Sequence, residues 1–418
     1  MQASGKSPET GTPPLAAGPS RTTFQALRNR EFRLLWGGLA ISAVGTWMQI
    51  VATSLLVLEL THGSAVALGT ISLAQALSFL VIAPLGGTLA DRFDRRRLLL
   101  VTQSILMLLA VLLGILTASG LIRFWMILLL AFASSATLSF DQPTRNALVA
   151  SLVPKEHLMN AVSLQSAVFN GASILGPALA GLALSRLGYA GNFFLNAASY
   201  LAVLAVLLRL PAQRVASHSG RLLDSAREAL AYVRRDTLLP SVLSAYGALL
   251  FFGPSMALLL PWYSRQVAGI GPTGLGLLFS AVGAGTVVGA LIMASLGDFP
   301  HKGPLVLGSI LLWALALGLF GFSGSLQVSI PLLFLLGVAQ NSAGATTTTL
   351  LQTRVPPEMR GRAMSLNTLL VMCVRPLGDL PAGVVLSRLG FRTTVVLSAM
   401  IVAVVLLTLL VRPGVRSA

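Results

Sequence analysis

Runs of about twenty apolar residues recur along the chain, separated by short polar loops, and few folds accept such a pattern. As a helix, each run is long enough to cross the hydrocarbon layer of a bilayer. They fall near 34–58, 65–90, 98–118, 122–141, 160–185, 189–210, 239–263, 273–296, 304–323, 328–351, 363–387 and 391–411. Across 418 residues, 55% are apolar, 10% are charged and the mean hydropathy is +0.82. A soluble domain cannot hide that much apolar surface, because its area grows almost as fast as its mass. Lipid must therefore be part of its solvent. The net charge of +16 alone would suit a nucleic-acid binder. The basic residues, however, lie in short clusters between apolar runs and not along one face, so a bilayer is the expected partner and nucleic acid is not.

Arginine placement predicts the topology. Clusters precede the first span (Arg28, Arg30, Arg33) and follow the second (Arg92, Arg95, Arg96, Arg97), the sixth (Arg209 to Arg235) and the tenth (Arg354, Arg360, Arg362). The alternate loops carry only Arg123, Arg186, Arg265, Arg388 and Arg392. The positive-inside rule then puts both termini in the cytoplasm, as expected of a multi-pass protein of a bacterial inner membrane. Residues 1–30, rich in Gly, Pro, Ser and Thr, read as a disordered cytoplasmic tail and not as a cleaved signal peptide. Residues 31–210 and 239–411 read as two six-helix bundles. Between them, 211–238 is a linker with a short amphipathic helix, and 412–418 is a second tail.

The two bundles are related by sequence. "LVPKEHLMNAVSL…LGPALAGLALSRLG" around the fifth span is echoed by "RVPPEMRGRAMSL…LGDLPAGVVLSRLG" around the eleventh. Val153 pairs with Val355, Gly176 with Gly378, Gly181 with Gly383 and Gly188 with Gly390 at one offset (390 − 188 = 202). Internal duplication of this kind puts a substrate site at the interface between the halves, near the midplane.

After the second span the chain reads "GGTLADRFDRRRLLL", with Gly87, Leu89, Ala90, Asp91, Arg92, Arg95, Arg96 and Arg97. The stretch resembles the signature loop of the major facilitator superfamily, with Asp94 where a glycine is usual. The wider sequence around it resembles the branch of enterobactin exporters and macrolide efflux proteins (transmembrane secretion effector type). The second half holds a worn copy, "MASLGDFPHKG", with Asp298 kept and Phe299 in place of an arginine. The resemblance implies an all-α membrane protein of twelve transmembrane helices in two pseudo-symmetric six-helix bundles, and a gate at Asp91, Arg92, Arg95 and Gly87. For Arg96 and Arg97 a topology-setting role is expected. "NGASILGPALAG" in the fifth span is similar to the glycine-proline motif of the superfamily's antiporters, with Ala180 at a usual glycine; it implies export through Gly176, Pro177 and Gly181. A packing kink is the alternative reading.

Candidate substrate contacts are polar residues on otherwise apolar helices. Ser42, Thr46, Gln49 and Thr53 form one stripe on the first span, beside Trp47. The resemblance places the first, fourth, seventh and tenth spans around a cavity, which adds Asn341 as the best candidate of the tenth. Tyr246, Phe251 and Phe252 could supply aromatic walls. True charges within spans are few. Arg375 and Asp379, four apart in the eleventh, share a face and can pair. Asp379 is then either a proton carrier whose protonation frees Arg375, or half of a static ion pair. Glu59 and Asp141 sit nearer span edges as weaker proton candidates, and the fourth span, read as 122–141 with Arg123 at its edge, lacks the intramembrane arginine that many proton antiporters of the resembled superfamily carry. The lone Cys373, unclustered histidines and absent nucleotide-binding loop predict no metal, no cofactor and no enzyme. The expected function is a monomeric secondary transporter, a proton-coupled exporter of a small amphiphile such as a drug, macrolide or siderophore. Import of a nutrient on the same fold is the alternative.

Overall fold

The computed structural model describes residues 24–90, 94–211, 222–297, 299 and 301–410. Thirteen α-helices carry these residues: α1 (Arg30–Leu60), α2 (Ala65–Ala90), α3 (Arg95–Ala118), α4 (Phe124–Leu152), α5 (Leu158–Arg209), α6 (Leu222–Val233), α7 (Leu239–Phe252), α8 (Met256–Gln266), α9 (Pro272–Leu296), α10 (Lys302–Phe320), α11 (Leu326–Arg354), α12 (Arg360–Leu369) and α13 (Arg375–Leu410). Ten helical segments among the described residues are long and apolar enough to cross a membrane. Two of them, Lys155–Arg209 and Arg360–Leu409, have 55 and 50 residues, enough for two crossings each, so the pattern fits twelve spans. Each is folded back at one glycine with positive φ, Gly188 (φ 67°) and Gly390 (φ 77°), a backbone that a side chain would strain.

Helix ends follow local chemistry. Asn29 caps α1, its Oδ1 accepting from the amides of Glu31 (3.0 Å) and Phe32 (3.3 Å), with Glu31 in the positive first turn. The tail expected to reach residue 30 gives way earlier: Gln25–Arg28 form a 3₁₀ turn, and the amide of Ala26 donates to Asn160 Oδ1. Asp94 explains its departure from the glycine pattern by capping α3 through the Arg97 amide (3.1 Å). Arg96, expected only to set topology, donates to the carbonyls of Leu207 (2.6 Å) and Leu208 (2.8 Å) at the end of α5. The linker helix α6 packs on α12, where Glu228 pairs with Arg362.

One end of the molecule holds the start of α1 and the end of α11; we call it the terminal end. At the other end the halves share a core, in which Val51 to Leu58 of α1 pack with Leu258, Leu259 and Leu260 of α8 and Leu275 and Leu278 of α9. At the terminal end the first half has a separate core of Phe32, Leu35, Leu99, Leu148, Leu152, Leu164 and Leu207.

Glycines bring the halves together at the shared end. A Cβ added at Gly181 would lie 2.7 Å from the carbonyl oxygen of Pro272, the first residue of α9. At Gly383 it would lie 2.7 Å from that of Ala65, the first residue of α2. Residues matched by the 202-position offset thus seat against equivalent points of the opposite half. At such a seat a larger side chain must push two helices apart. Gly383→Leu is expected to lower stability by about 2 kcal/mol, whereas Gly308→Leu, with open space around it, should cost little. Thermal unfolding in detergent measures both, and equal midpoints for the two variants would refute the seam.

Candidate functional site

The second half contributes its charges around a broken helix. Pro254 cannot donate an amide, and the chain between α7 and α8 is extended at Gly253 (φ −85°, ψ 105°), so the seventh span, expected as one run over 239–263, is two helices. α8 therefore begins inside the protein with free amides. Asp379 of α13, 2% exposed, meets that opening: its Oδ1 accepts from the Ser255 amide at 2.8 Å, with the hydroxyls of Ser255 and of Ser72 from α2 beside it. Close packing allows the reach, since a Cβ at Gly378 would run into the carbonyl of Phe251, and one at Gly69 would lie 2.7 Å from the carbonyl of Asp379 itself. The carboxylate thus bridges three helices from both halves.

Arg375 precedes Asp379 by one turn, directly after a π-helical segment, Leu370–Val374. No ion pair within 4.0 Å joins the two residues. Arg375 Nε is buried without a hydrogen-bond partner, and Tyr246 of α7 is close enough to act on it electrostatically.

The first half holds a second polar cluster. Asp141, fully buried, accepts from Thr102 Oγ1 (2.8 Å) and Gln103 Nε2 (2.7 Å) of α3 and pairs with Arg145 one turn along α4. Reading the fourth span as ending at residue 141 misses this arginine, because α4 runs through Pro143 to Leu152. Nearby, Asn196 Nδ2 donates to Gln49 Oε1 at 2.6 Å, and Tyr200 lies beside Thr46 and Asn196. The Asp141-x-x-x-Arg145 spacing was the available signal, since it marks a same-face pair on a helix.

The glycine-proline motif lies where the fifth span meets α9. Pro177 leaves Ser173 O without its in-helix donor, and a Cβ at Gly283 would lie 2.6 Å from that oxygen; Ser280 Oγ donates to the next carbonyl, Ile174 O, at 2.6 Å. Gly176 sits against Trp47 of α1, and Gly181 forms the seam with α9.

Comparison with known proteins identifies the family and the fold. The family model described as transmembrane secretion effector matches residues 21–416, nearly the whole chain. The chain belongs to the transmembrane secretion effectors of the major facilitator superfamily. Among similar proteins of this kind are enterobactin exporter EntS of Shigella flexneri, 28% identical over 91% of this chain and 92% of that protein, and macrolide efflux protein A of Streptococcus pyogenes, 23% identical over 89% and 93%. A bacterial homologue of the lysosomal transporter Spinster, solved inward-facing and unoccupied, shares the fold with a TM-score of 0.74, 15% identity and coverage of 95% and 98%. The protein is accordingly a multi-pass membrane transporter with the major facilitator fold, and not an enzyme.

The remaining candidates of this secretion effector fall in three places. Asp91, Arg92 and Asp298 lie outside the described residues, Gly87 is in the last turn of α2, and Arg95 donates to Ala147 O of α4 at 3.3 Å. Glu59 is exposed at the shared end, accepting from Tyr189 at 2.8 Å. Within the bundle, Thr46 bonds back to Ser42 O, Thr53 Oγ1 and Trp47 Nε1 are buried without partners, Trp47 packs on Phe169 at 5.9 Å, and Asn341 lies against Gly289 of α9. The Asp141–Arg145 pair gives a direct test: Arg145→Met leaves a buried carboxylate unpaired and should cost about 3 kcal/mol, largely recovered in the Asp141→Leu/Arg145→Met double variant. Unfolding of all four proteins measures the coupling, and additive losses would show that the pair contributes nothing.

Proposed function

We propose that the protein is a proton-driven exporter of a small amphiphilic molecule, working as a monomer by alternating access in a bacterial inner membrane. The observation that supports it most is the unequal packing of the halves: apolar contacts and glycine seams join them at one end, while at the other the first half keeps a core of its own. With the arginine-rich terminal end in the cytoplasm, that packing corresponds to a state open inward, ready to load from the cell. Export draws further support from relatives named as exporters of enterobactin and of macrolides. The Gly176-Pro177 kink, seated on α1 and α9, fits a rigid fifth span that rocks as a unit.

In this reading Trp47, Thr46, Gln49, Thr53 and Asn341 receive the substrate from both halves. Asp91, Arg92, Arg95 and Gly87 close the terminal end in the opposite state. Asp379 carries the proton, because it links a charge to helices of both halves: neutralising it weakens its hold on the α8 amide and loosens the shared end. Arg375 modulates that carboxylate, and Glu59 receives protons at the outer face. Nutrient import on the same fold is the competing reading; it predicts the opposite direction of flux.

Inverted membrane vesicles decide between them. Under a proton gradient, vesicles bearing the protein should accumulate at least one compound of a drug, macrolide and siderophore panel, and an uncoupler should abolish the accumulation. Uptake only into right-side-out vesicles would overturn export. Asp91→Asn is expected to lower the flux at least about tenfold at equal membrane abundance, a loss of ~1.4 kcal/mol in the rate-limiting step; unchanged flux would remove the gate. Asp379→Asn should leave downhill flux but abolish its response to the gradient, and a retained response would reassign the proton.

A further inference from the structure

Two Asp–Arg pairs with four-residue spacing lie inside this bundle, and they behave differently. In α4 the pair closes: Arg145 meets Asp141, and Thr102 and Gln103 occupy one remaining carboxylate oxygen. In α13 it stays open: Asp379 is held by the Ser255 amide, and Arg375 makes no ion pair with it. The arginine stands midway between Arg360 and Gly390, in the middle of a membrane crossing. There an uncompensated guanidinium is costly, and such residues pair with one another or face a ligand pathway. The π-helical turn before it inserts an extra residue into the helix and rotates the side chains of the next turn, a distortion found often at functional sites. Its neighbour Tyr246 touches Gly344 of α11, so the guanidinium lies where α7, α11 and α13 converge.

From this juxtaposition we propose that Arg375 is the seat for an acidic group of the transported molecule, which makes the substrate an anionic amphiphile bearing a carboxylate or a similar planar oxyanion. The inference rests on the exporter reading for the word transported, but the binding claim stands separately. A planar guanidinium fork matches a two-oxygen acid, and the aromatic ring of Tyr246 beside it suits the adjoining apolar body of such a molecule. Asp379 leaves the fork open for that occupant, since its Oδ1 is engaged by the Ser255 amide and no ion pair joins it to Arg375.

Fluorescein and its methyl ester, which differ by one carboxylate, provide the test. Fluorescence anisotropy with the full-length protein in nanodiscs of neutral lipid should show the acid binding about tenfold more tightly than the ester, the ratio expected from one charged hydrogen-bonded pair. Arg375→Gln should bring the two dyes within about twofold of each other, while Arg375→Lys, which keeps the charge without the fork, retains an intermediate preference and controls for folding. Equal binding of both dyes by the unaltered protein, binding of neither, or a preference that survives Arg375→Gln overturns the proposal. If vesicle export of panel compounds persists while the dye preference is absent, only the anion seat falls. A clear preference with no export falls on the exporter reading alone.

Discussion

Backbone contact between the halves is set by what a glycine leaves out. At Gly181 and Gly383 the missing side chain lets a helix of one half rest on a carbonyl in the first turn of a helix of the other. In a bilayer, apolar surface gives helices no reason to prefer each other over lipid, so close packing of backbones is what remains to hold them. The rest of the arrangement depends on it. Asp379 reaches the opening of α8 because its own helix is pressed against α2 at Gly69 and against α7 at Gly378. A seam built from a few small residues is also one that can part and reform as rigid bodies rock, since nothing bulky has to be extracted from it.

Much of this is legible from sequence for a physical reason. Hydropathy and length report a membrane crossing directly, and the paired glycines at one constant offset expose the duplication without any coordinates, as the matching turns at Gly188 and Gly390 illustrate. What hydropathy hides lies at its own margins. A window average falls at Asp141, so the fourth span reads as stopping there, although its helix continues for eleven further positions with Arg145 in it. The same averaging joins α7 and α8, because Gly253 and Pro254 are neutral on such a scale while ending a helix sterically. Spacing can say that Arg375 and Asp379 share a face. It cannot say that a third partner, the Ser255 amide, wins the carboxylate, because that amide comes from 124 residues away. Asp94 is obscured for the opposite reason: its role as a cap is entirely local, and the family pattern draws attention from it.

The duplication also shows where symmetry has been abandoned. At the offset of 202, Asp379 is the counterpart of Pro177 and Arg375 of Ser173. In the first half that pair of positions makes a kink: the proline frees the Ser173 carbonyl, and α9 closes on it at Gly283. In the second half the same two positions carry opposite charges, between the π-helical segment Leu370–Val374 and Pro381, and a further break lies in the neighbouring span at Gly253 and Pro254. Both halves therefore combine interrupted helices with tight glycines: the first removes a donor at Pro177, and the second supplies the Asp379 carboxylate to the Ser255 amide. The charged pair of the first half, Asp141 and Arg145, has as counterparts Ala343 and Thr347, uncharged residues on α11. Charge is thus placed on non-equivalent helices of a symmetric frame. One carboxylate is buried in a closed network within a single half, where it stiffens that half. The other bridges the two halves, where any change in its charge bears on their relation.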